Sequence, residues 1–508
     1  MSRLAKVNIY GNKSRNKISR YLFGHFMEHC KDVIYGSVYD PESPLADEDG
    51  FRKDVIEVLR EVGVPMLRYP GGNFVSNYHW EDGIGDKEKR PRTFDYAWLA
   101  EDNNSMGTIE FLKLCKKVGA EPYLCVNMGS GTAEEAMHWV EFCNGDKGEY
   151  ANKRKALGYE KPFGVKYWGL GNEMYGDWQY GASNAIDYAK KALDFAKAMK
   201  WVDPSIELIV CGYDLGSDWN YEVARLLKPL ISHIAIHHYS IGYGVFREED
   251  YEQCMYIPDY LTKLTEVARA SIIAGTNDAL SEIKVAWDEW NTYAWNFEED
   301  GDRKATLKNA LLTAGILHSF IKSSNVVEIA SYSPFVNVCG AISVKEDKVL
   351  KRAQYDIFKW MSKKFSVCNN YLESDLESDG YKLEEVIDYS NRLPEAKFAL
   401  DAKESKRVVE TKFIDVVASI NEAKDKIVLS FLNKDAKKEC LVDINIWGIH
   451  VNWNRTKCYR LYHPDFEASN TVKEPDKVRV EEIDTRIKDG KILLKEHSWT
   501  ILEVDVEK

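Results

Sequence analysis

Val165-Lys166-Tyr167-Trp168-Gly169-Leu170-Gly171-Asn172-Glu173 begins as an apolar, strand-like run and stops on a carboxylate beside an amide. Ile283-Lys284-Val285-Ala286-Trp287-Asp288-Glu289-Trp290-Asn291 has the same construction. Near-continuous apolar character, without the polar alternation of a half-exposed strand, marks strands buried on both faces in a parallel sheet. In such architectures the chemistry gathers where the strands end. Six more runs of this kind surround the pair, giving Tyr21–Met27, Pro65–Tyr69, Pro122–Asn127, Val165–Leu170, Glu207–Cys211, His233–His237, Lys284–Trp287 and Val327–Ser331.

Between these runs the apolar spacing changes to three and four, as in Phe51, Val55, Val58 and Val62, or Ile109, Leu112 and Cys115. Further helices are expected over Ala185–Trp201, Leu261–Ile273, Ala305–Ile321 and Ala353–Met361, with a weaker one after Gly216. Alternating β and α units close most economically as a (β/α)8 TIM barrel. A doubly wound open sheet is the alternative, but no GxGxxG turn follows any strand. After about residue 365 acidic stretches (Glu373–Glu385) lead into alternating runs such as Ile427–Leu432, Cys440–Ile446 and Thr500–Val504. These predict a C-terminal, jelly-roll-like β-sandwich over 366–508, joined by the N-terminal strand within 1–18, with the barrel over 19–365.

The 508 residues are too many for one ordinary domain and enough for a barrel plus a second unit. A formal charge of −13 argues against nucleic-acid and anionic-membrane partners, which require a basic face. Met1–Tyr10 lacks the apolar stretch of a secretory signal, and no later run could span a membrane. The 10 cysteines show no paired spacing and several sit in apolar runs (Cys115, Cys125, Cys211), as buried free thiols do. A cytoplasmic location is expected. The 14 Trp and 29 Tyr suit a large core and also sugar-stacking platforms.

In a barrel the C-terminal strand ends converge on one mouth. Strand one delivers His25, Glu28 and His29; strand two, Arg68, Gly71-Gly72 and Asn73; strand four, Asn172 and Glu173; strand six, His237, His238 and Tyr239; strand seven, Glu289. His237 alone could be a satisfied core histidine and Glu28 a helix-end charge. Their joint placement points to catalysis. Glycosidic cleavage needs a proton for the leaving oxygen and a carboxylate facing the anomeric carbon. Glu173 and Glu289, 116 residues apart, fit that pair. Ionised Glu289 nearby is expected to raise the Glu173 pKa above its ordinary range.

Trp168-Gly-Leu-Gly-Asn-Glu173-Met174 with Asp288-Glu289-Trp290-Asn291 resembles glycoside hydrolase family 51, the α-L-arabinofuranosidases. So do Arg68-Tyr-Pro-Gly-Gly-Asn73-Phe-Val, Trp80-Glu-Asp-Gly-Ile-Gly85 and Ala120-Glu-Pro-Tyr-Leu-Cys-Val-Asn-Met-Gly129, and the match runs from about residue 20 to 360. Ser498-Trp499-Thr500 fits the family's closing strand. The resemblance implies retaining, exo-acting release of terminal α-L-arabinofuranosyl residues from arabinose-containing oligosaccharides, with no cofactor or metal and a homo-oligomeric, often hexameric, protein. By position it implies Glu173 as acid/base, Glu289 as nucleophile, and Asn172 on the sugar 2-hydroxyl. Glu28 and Asn73 would grip furanose hydroxyls, and His237 and Tyr239 would border the carboxylates. Trp98 and Trp178 would wall the leaving-group side, and Gln354 stands near a family glutamine that binds sugar.

Two places depart from the family pattern. Cys30-Lys31-Asp32 replaces the common Leu-Gly-Arg, and Tyr293 stands where a Trp is usual. Both bear on substrate choice. Other readings are a retaining barrel glycosidase on another sugar (β-xylosidase or endo-glucanase) and a metal-dependent sugar isomerase caged by Glu28, Glu173, His237, His238 and Glu289. A catalytically inactive sugar-binding protein would require loss of one carboxylate, and both are present.

Overall fold

The computed structural model describes residues 2–214, 216–241, 246, 248, 250–295, 301–388, 404–484 and 487–507. Eight parallel strands close a barrel in chain order: β1 (Gly24–Phe26), β2 (Met66–Tyr69), β3 (Glu121–Val126), β4 (Tyr167–Leu170), β5 (Glu207–Cys211), β6 (His233–Ile241), β7 (Lys284–Tyr293) and β8 (Val327–Tyr332). The architecture is the expected (β/α)8 barrel followed by a sheet domain. The first strand is shorter than its apolar run suggests. Arg20–Phe23 instead winds into a 3-10 turn whose Tyr21 amide donates to the capping Ser19 side chain at 3.1 Å. Strands β6 and β7 run well beyond the expected ends, so that Tyr239 and Glu289 both lie within the paired strands.

The expected helices form as Lys53–Val62, Thr108–Val118, Ala185–Val202, Ser217–Leu227, Tyr251–Thr276, Leu307–Lys322 and Ala353–Val367. Two more, Ala133–Asn144 and Glu149–Ala156, fill the crossover between β3 and β4. Inside the barrel, Met66, Tyr123, Tyr167, Ile209, Ala235, Ala286 and Ile329 form a buried layer beneath the mouth. This apolar and aromatic floor excludes water from below, so polar side chains one layer higher interact in a low effective dielectric.

Nine strands form the second sheet, in the order Val480–Glu482, Val451–Leu461, Ser498–Val506, Lys426–Asn433, Ile414–Ile420, Asn370–Ser378, Arg3–Lys17, Cys440–Trp447 and Lys491–Leu494. The N-terminal strand pairs antiparallel with Asn370–Ser378 and parallel with Cys440–Trp447. One face of the sheet builds its own core from alternate residues such as Val7, Ile9, Val416, Leu429, Val442 and Leu502. The opposite face, with Val417, Leu432, Trp499 and Ile501, packs into the barrel's core.

Helix Leu307–Lys322 lies between the two units and is buried from Leu307 to Ile321. Its His318 bridges Asp415 (3.2 Å) and Ser430 (2.7 Å) of the sheet, so this buried imidazole has both nitrogens satisfied. A methyl at Gly315 would come within 2.7 Å of Pro258 and 3.2 Å of Leu432. Close approach from both sides requires glycine there. The 10 cysteines are free thiols, and no described helix is long and apolar enough to cross a membrane.

Candidate active site

Two left-handed steps carry the chain out of β4. Gly171 has φ +77° and Glu173 φ +44°, with Asn172 between them. A non-glycine residue pays about 1–2 kcal/mol for that conformation, and such strain gathers at functional sites. The turn places the Glu173 carboxylate against His237, whose Nδ1 is 3.0 Å from Oε1, and the Trp178 indole N–H, which donates to Oε2 at 2.8 Å. Asn172 turns inward, is buried, and accepts a hydrogen bond from Arg68 at 2.7 Å.

Glu289 reaches the same mouth because β7 carries a bulge. Ala286 pairs with Ala235 but Glu289 pairs with His237, so three residues of β7 are matched to two of β6. The same mismatch appears against β8, between Trp287–Ala330 and Trp290–Tyr332. Strict alternation from inward-facing Ala286 would turn Asp288 in and Glu289 out. The extra residue brings both to the axis, a common use of bulges beside active sites. Glu289 Oε2 then accepts from Arg68 at 2.8 Å and Oε1 from the Tyr239 hydroxyl at 2.5 Å, while Tyr239 also contacts Ser333 at 2.8 Å.

Glu173, His237 and Glu289 each present an atom within 4.8 Å of the others. Oxygens this near one another match the ~5–5.5 Å carboxyl spacing of retaining enzymes better than the ~6.5–9.5 Å of inverting ones. The trio has the composition of a metal cage, but the Arg68 guanidinium and the Tyr239 hydroxyl already occupy one Glu289 oxygen each. The isomerase cage also loses a ligand: His238, one residue off the inward parity of His237 and Tyr239, turns to Asp214 at 3.0 Å.

Glu28 stands at the end of β1, buried, with the Phe74 amide (3.0 Å) and the Trp98 indole N–H (2.9 Å) both donating to Oε1. Burial and repulsion from Glu289 push its pKa up to about 8, despite those two donors. Gly72 separates the two acids: a methyl there would lie 3.4 Å from Glu28 and 3.5 Å from Glu289. Asn73, half-buried, opens the short helix Asn73–Asn77 directly after it. Trp98 stacks on Trp295 with ring centres 5.6 Å apart, linking the hairpin around Asp95 to the end of β7. Trp178 is 59% exposed, which removes core packing as an account of it. Gln354 is buried in the first turn of helix Ala353–Val367, and no described hydrogen bond joins it to the carboxylates.

His237 is held between acids: Glu173 and Asp288 at 3.0 Å each and Glu289 at 3.6 Å. Burial disfavours its charge, yet Glu289 and Asp288 outweigh that and raise its pKa to about 10. The effect on Glu173 runs opposite to the expectation from Glu289 alone. Burial raises it, but the hydrogen bond and charge of His237 win and hold Glu173 below the ordinary carboxylate range. The raised proton affinity of His237 and the lowered one of Glu173 both favour the imidazole as the seat of a proton shared by the pair.

Asp288 and Tyr123 complete the inner layer and were not singled out by the sequence reading. The Tyr123 hydroxyl donates to Asp288 Oδ2 at 2.7 Å, and Arg68 Nε approaches the same oxygen at 3.3 Å. The parity of Asp288 with Ala286, and of Arg68 with Met66, was the available signal. Of the departures, Lys31 adopts φ +47°, where the family's usual glycine is unstrained, and Tyr293 is buried beside Lys304. A separate cleft of about 930 Å³, lined by Lys166, Glu207, His233, Lys284 and Glu328, opens at the N-terminal strand ends, opposite these carboxylates.

Comparison with known proteins agrees with this geometry. Residues 58–251 match the α-L-arabinofuranosidase 1 domain and residues 288–498 the α-L-arabinofuranosidase C-terminal domain. α-L-Arabinofuranosidase C of Emericella nidulans is 38% identical over 371 residues, covering 69% of this chain and 72% of that protein. The chain belongs to glycoside hydrolase family 51, the α-L-arabinofuranosidases. The intracellular exo-α-(1→5)-L-arabinofuranosidase 1 of Bacillus subtilis is 36% identical over 358 residues, covering 65% and 69% of the two chains. The arabinose complex of the Thermotoga maritima α-L-arabinofuranosidase superposes with a TM-score of 0.88 at 34% identity, covering 99% of this chain and 100% of that one. This family 51 enzyme is thus a glycoside hydrolase that releases arabinofuranose.

Proposed function

We propose that Glu289 is the nucleophile and Glu173 the acid/base of a double displacement at the anomeric carbon of a terminal α-L-arabinofuranosyl residue. The proximity of Glu173 and Glu289, with carboxylate oxygens within 4.8 Å, carries this reading. Arg68 and Tyr239 aim one Glu289 oxygen each, leaving the carboxylate fixed for in-line attack. Glu173 Oε2 lies beside the exposed Trp178, on the open side where a leaving sugar would stack. Glu28 and Asn73 flank Gly72, whose missing side chain leaves room for a furanose between Glu28 and Glu289. Asn172, fixed by Arg68, is placed for the 2-hydroxyl. Trp98 closes the Glu28 side, and Gln354, in the first turn of helix Ala353–Val367 with its side-chain oxygen unpaired among the described residues, is the remaining candidate for a sugar contact.

The catalytic unit is the barrel over 19–365, with 1–18 and 366–508 forming the sheet domain. The preferred substrates are short arabinose-containing oligosaccharides met in the cytoplasm, a setting supported by the relative named as intracellular. The enzyme works as a homo-oligomer. Exposed Trp447, at 55%, on the sheet domain supports a subunit contact there. Replacing Glu289 by Ala should abolish turnover of every substrate. Azide should then restore cleavage of an activated aryl α-L-arabinofuranoside and give the inverted azide product. A product of retained configuration, or undiminished turnover by the variant, rules out Glu289 as nucleophile.

A further inference from the structure

We propose that Asp288 is a positioning residue of the reaction, holding His237 as the store of the proton that Glu173 delivers to the leaving group. The inference rests on the reading of Glu173 as the acid. Geometry carries it. The β7 bulge leaves Asp288 in its inward place beneath Glu289, buried and out of reach of the mouth. Its Oδ1 holds His237 Nε2 at 3.0 Å, and its Oδ2 is fixed by the Tyr123 hydroxyl at 2.7 Å. His237 then has one orientation, with Nδ1 directed at Glu173 Oε1, also at 3.0 Å. Tyr123, Asp288, His237 and Glu173 form one hydrogen-bonded line from the barrel floor to the leaving-group side.

Asp288 acts mainly through His237 rather than through Arg68. Arg68 keeps closer partners of its own in Glu289 at 2.8 Å and Asn172 at 2.7 Å, and its contact with Asp288 is 3.3 Å without hydrogen-bond geometry. The Nε2 side of His237, by contrast, is anchored on Asp288. The groups facing the imidazole are Glu173 from the end of β4 and Asp288 and Glu289 from β7. Behind them stand Arg68 of β2, Tyr123 of β3 and Tyr239 of β6. Three acids around one ring favour the imidazolium, in line with its raised affinity for a proton.

The proton balance closes. In the first displacement the Nδ1 proton passes to Glu173 and on to the departing oxygen. Glu289 becomes bonded to the sugar, His237 is left neutral and Glu173 ionised. In the second, the attacking water gives its proton back through Glu173 to His237, and Glu289 leaves as a carboxylate.

Asp288→Asn keeps the shape and an acceptor for Nε2–H but removes the charge. For an aryl arabinofuranoside with a poor leaving group, the alkaline limb of kcat/KM should move to lower pH by about one unit or more. The loss should be at least about tenfold larger than on a dinitrophenyl substrate, because acid catalysis is worth 10²–10⁴-fold only where the leaving group needs a proton. Tyr123→Phe should move the same limb upward, since Asp288 deprived of its phenol donor holds the imidazolium more tightly. Unmoved limbs, or equal losses on both substrates, overturn the proposal. Should Asp288→Asn fail to fold, Tyr123→Phe decides alone: an upward limb supports the store, and a fixed or lowered limb refutes it. Glu173→Ala separates the two layers. If its losses depend on the leaving group while those of Asp288→Asn do not, only the role of Asp288 falls; if neither depends, the acid assignment falls first.

Discussion

Glu28 stores a cost that can be measured without substrate. Its carboxyl is buried, faces Glu289, and has a pKa raised from 4.5 to about 8. In the unfolded chain the same group titrates near its ordinary value. Between these limits the folded protein keeps a proton that the unfolded chain has lost, so folding becomes less favourable as pH rises. At about 1.36 kcal/mol per pH unit the accumulated difference is about 5 kcal/mol, absent below pH 4.5 and complete above about pH 8. Glu28→Gln removes this dependence while keeping the volume and an oxygen to accept from Phe74 and Trp98. Chemical denaturation of both proteins from pH 5 to 9 should therefore show the variant gaining on the parent through pH 8 and then levelling. A constant offset, whatever its sign, reports only the amide's own packing. Curves that stay parallel across the whole range, so that this offset is the entire difference between the two proteins, would refute the assignment of Glu28 as a carboxyl kept neutral by burial and Glu289.

Glu173→Ala should slow substrates in proportion to their need for a proton, with little loss on dinitrophenyl arabinofuranoside and ~10²–10⁴-fold on a sugar leaving group; equal losses would contradict the role. Light scattering at micromolar concentration should give a multiple of the 58.3 kDa chain mass, and a mass near that of one chain would refute the oligomer.

The barrel was legible because its strands are buried on both faces. Each reads as a short apolar run, and eight such runs separated by helices leave few alternatives. The expected ends failed where something other than burial decides them. Ser19 caps a turn at the start of β1, which a count of apolar residues cannot register. The side chains at the mouth were legible by residue type at the strand ends, and Glu28, Glu173, His237, Tyr239 and Glu289 do converge.

What alternation alone could not supply is how two neighbours on one strand face the same way. From Ala286, parity points to Asp288 and away from Glu289, whereas the residue types favoured Glu289. The bulge reconciles them. That added residue has an electrostatic consequence. With Asp288 turned outward, His237 would keep only the two catalytic carboxylates as counter-charges, and Arg68 only Glu289. Placing a third, non-reacting carboxylate below keeps a counter-charge for Arg68 while Glu289 is esterified and its charge disappears, and draws the proton back to His237 in the second displacement. A site that loses an anion in mid-cycle needs one that does not take part, and the bulge gives β7 room for both.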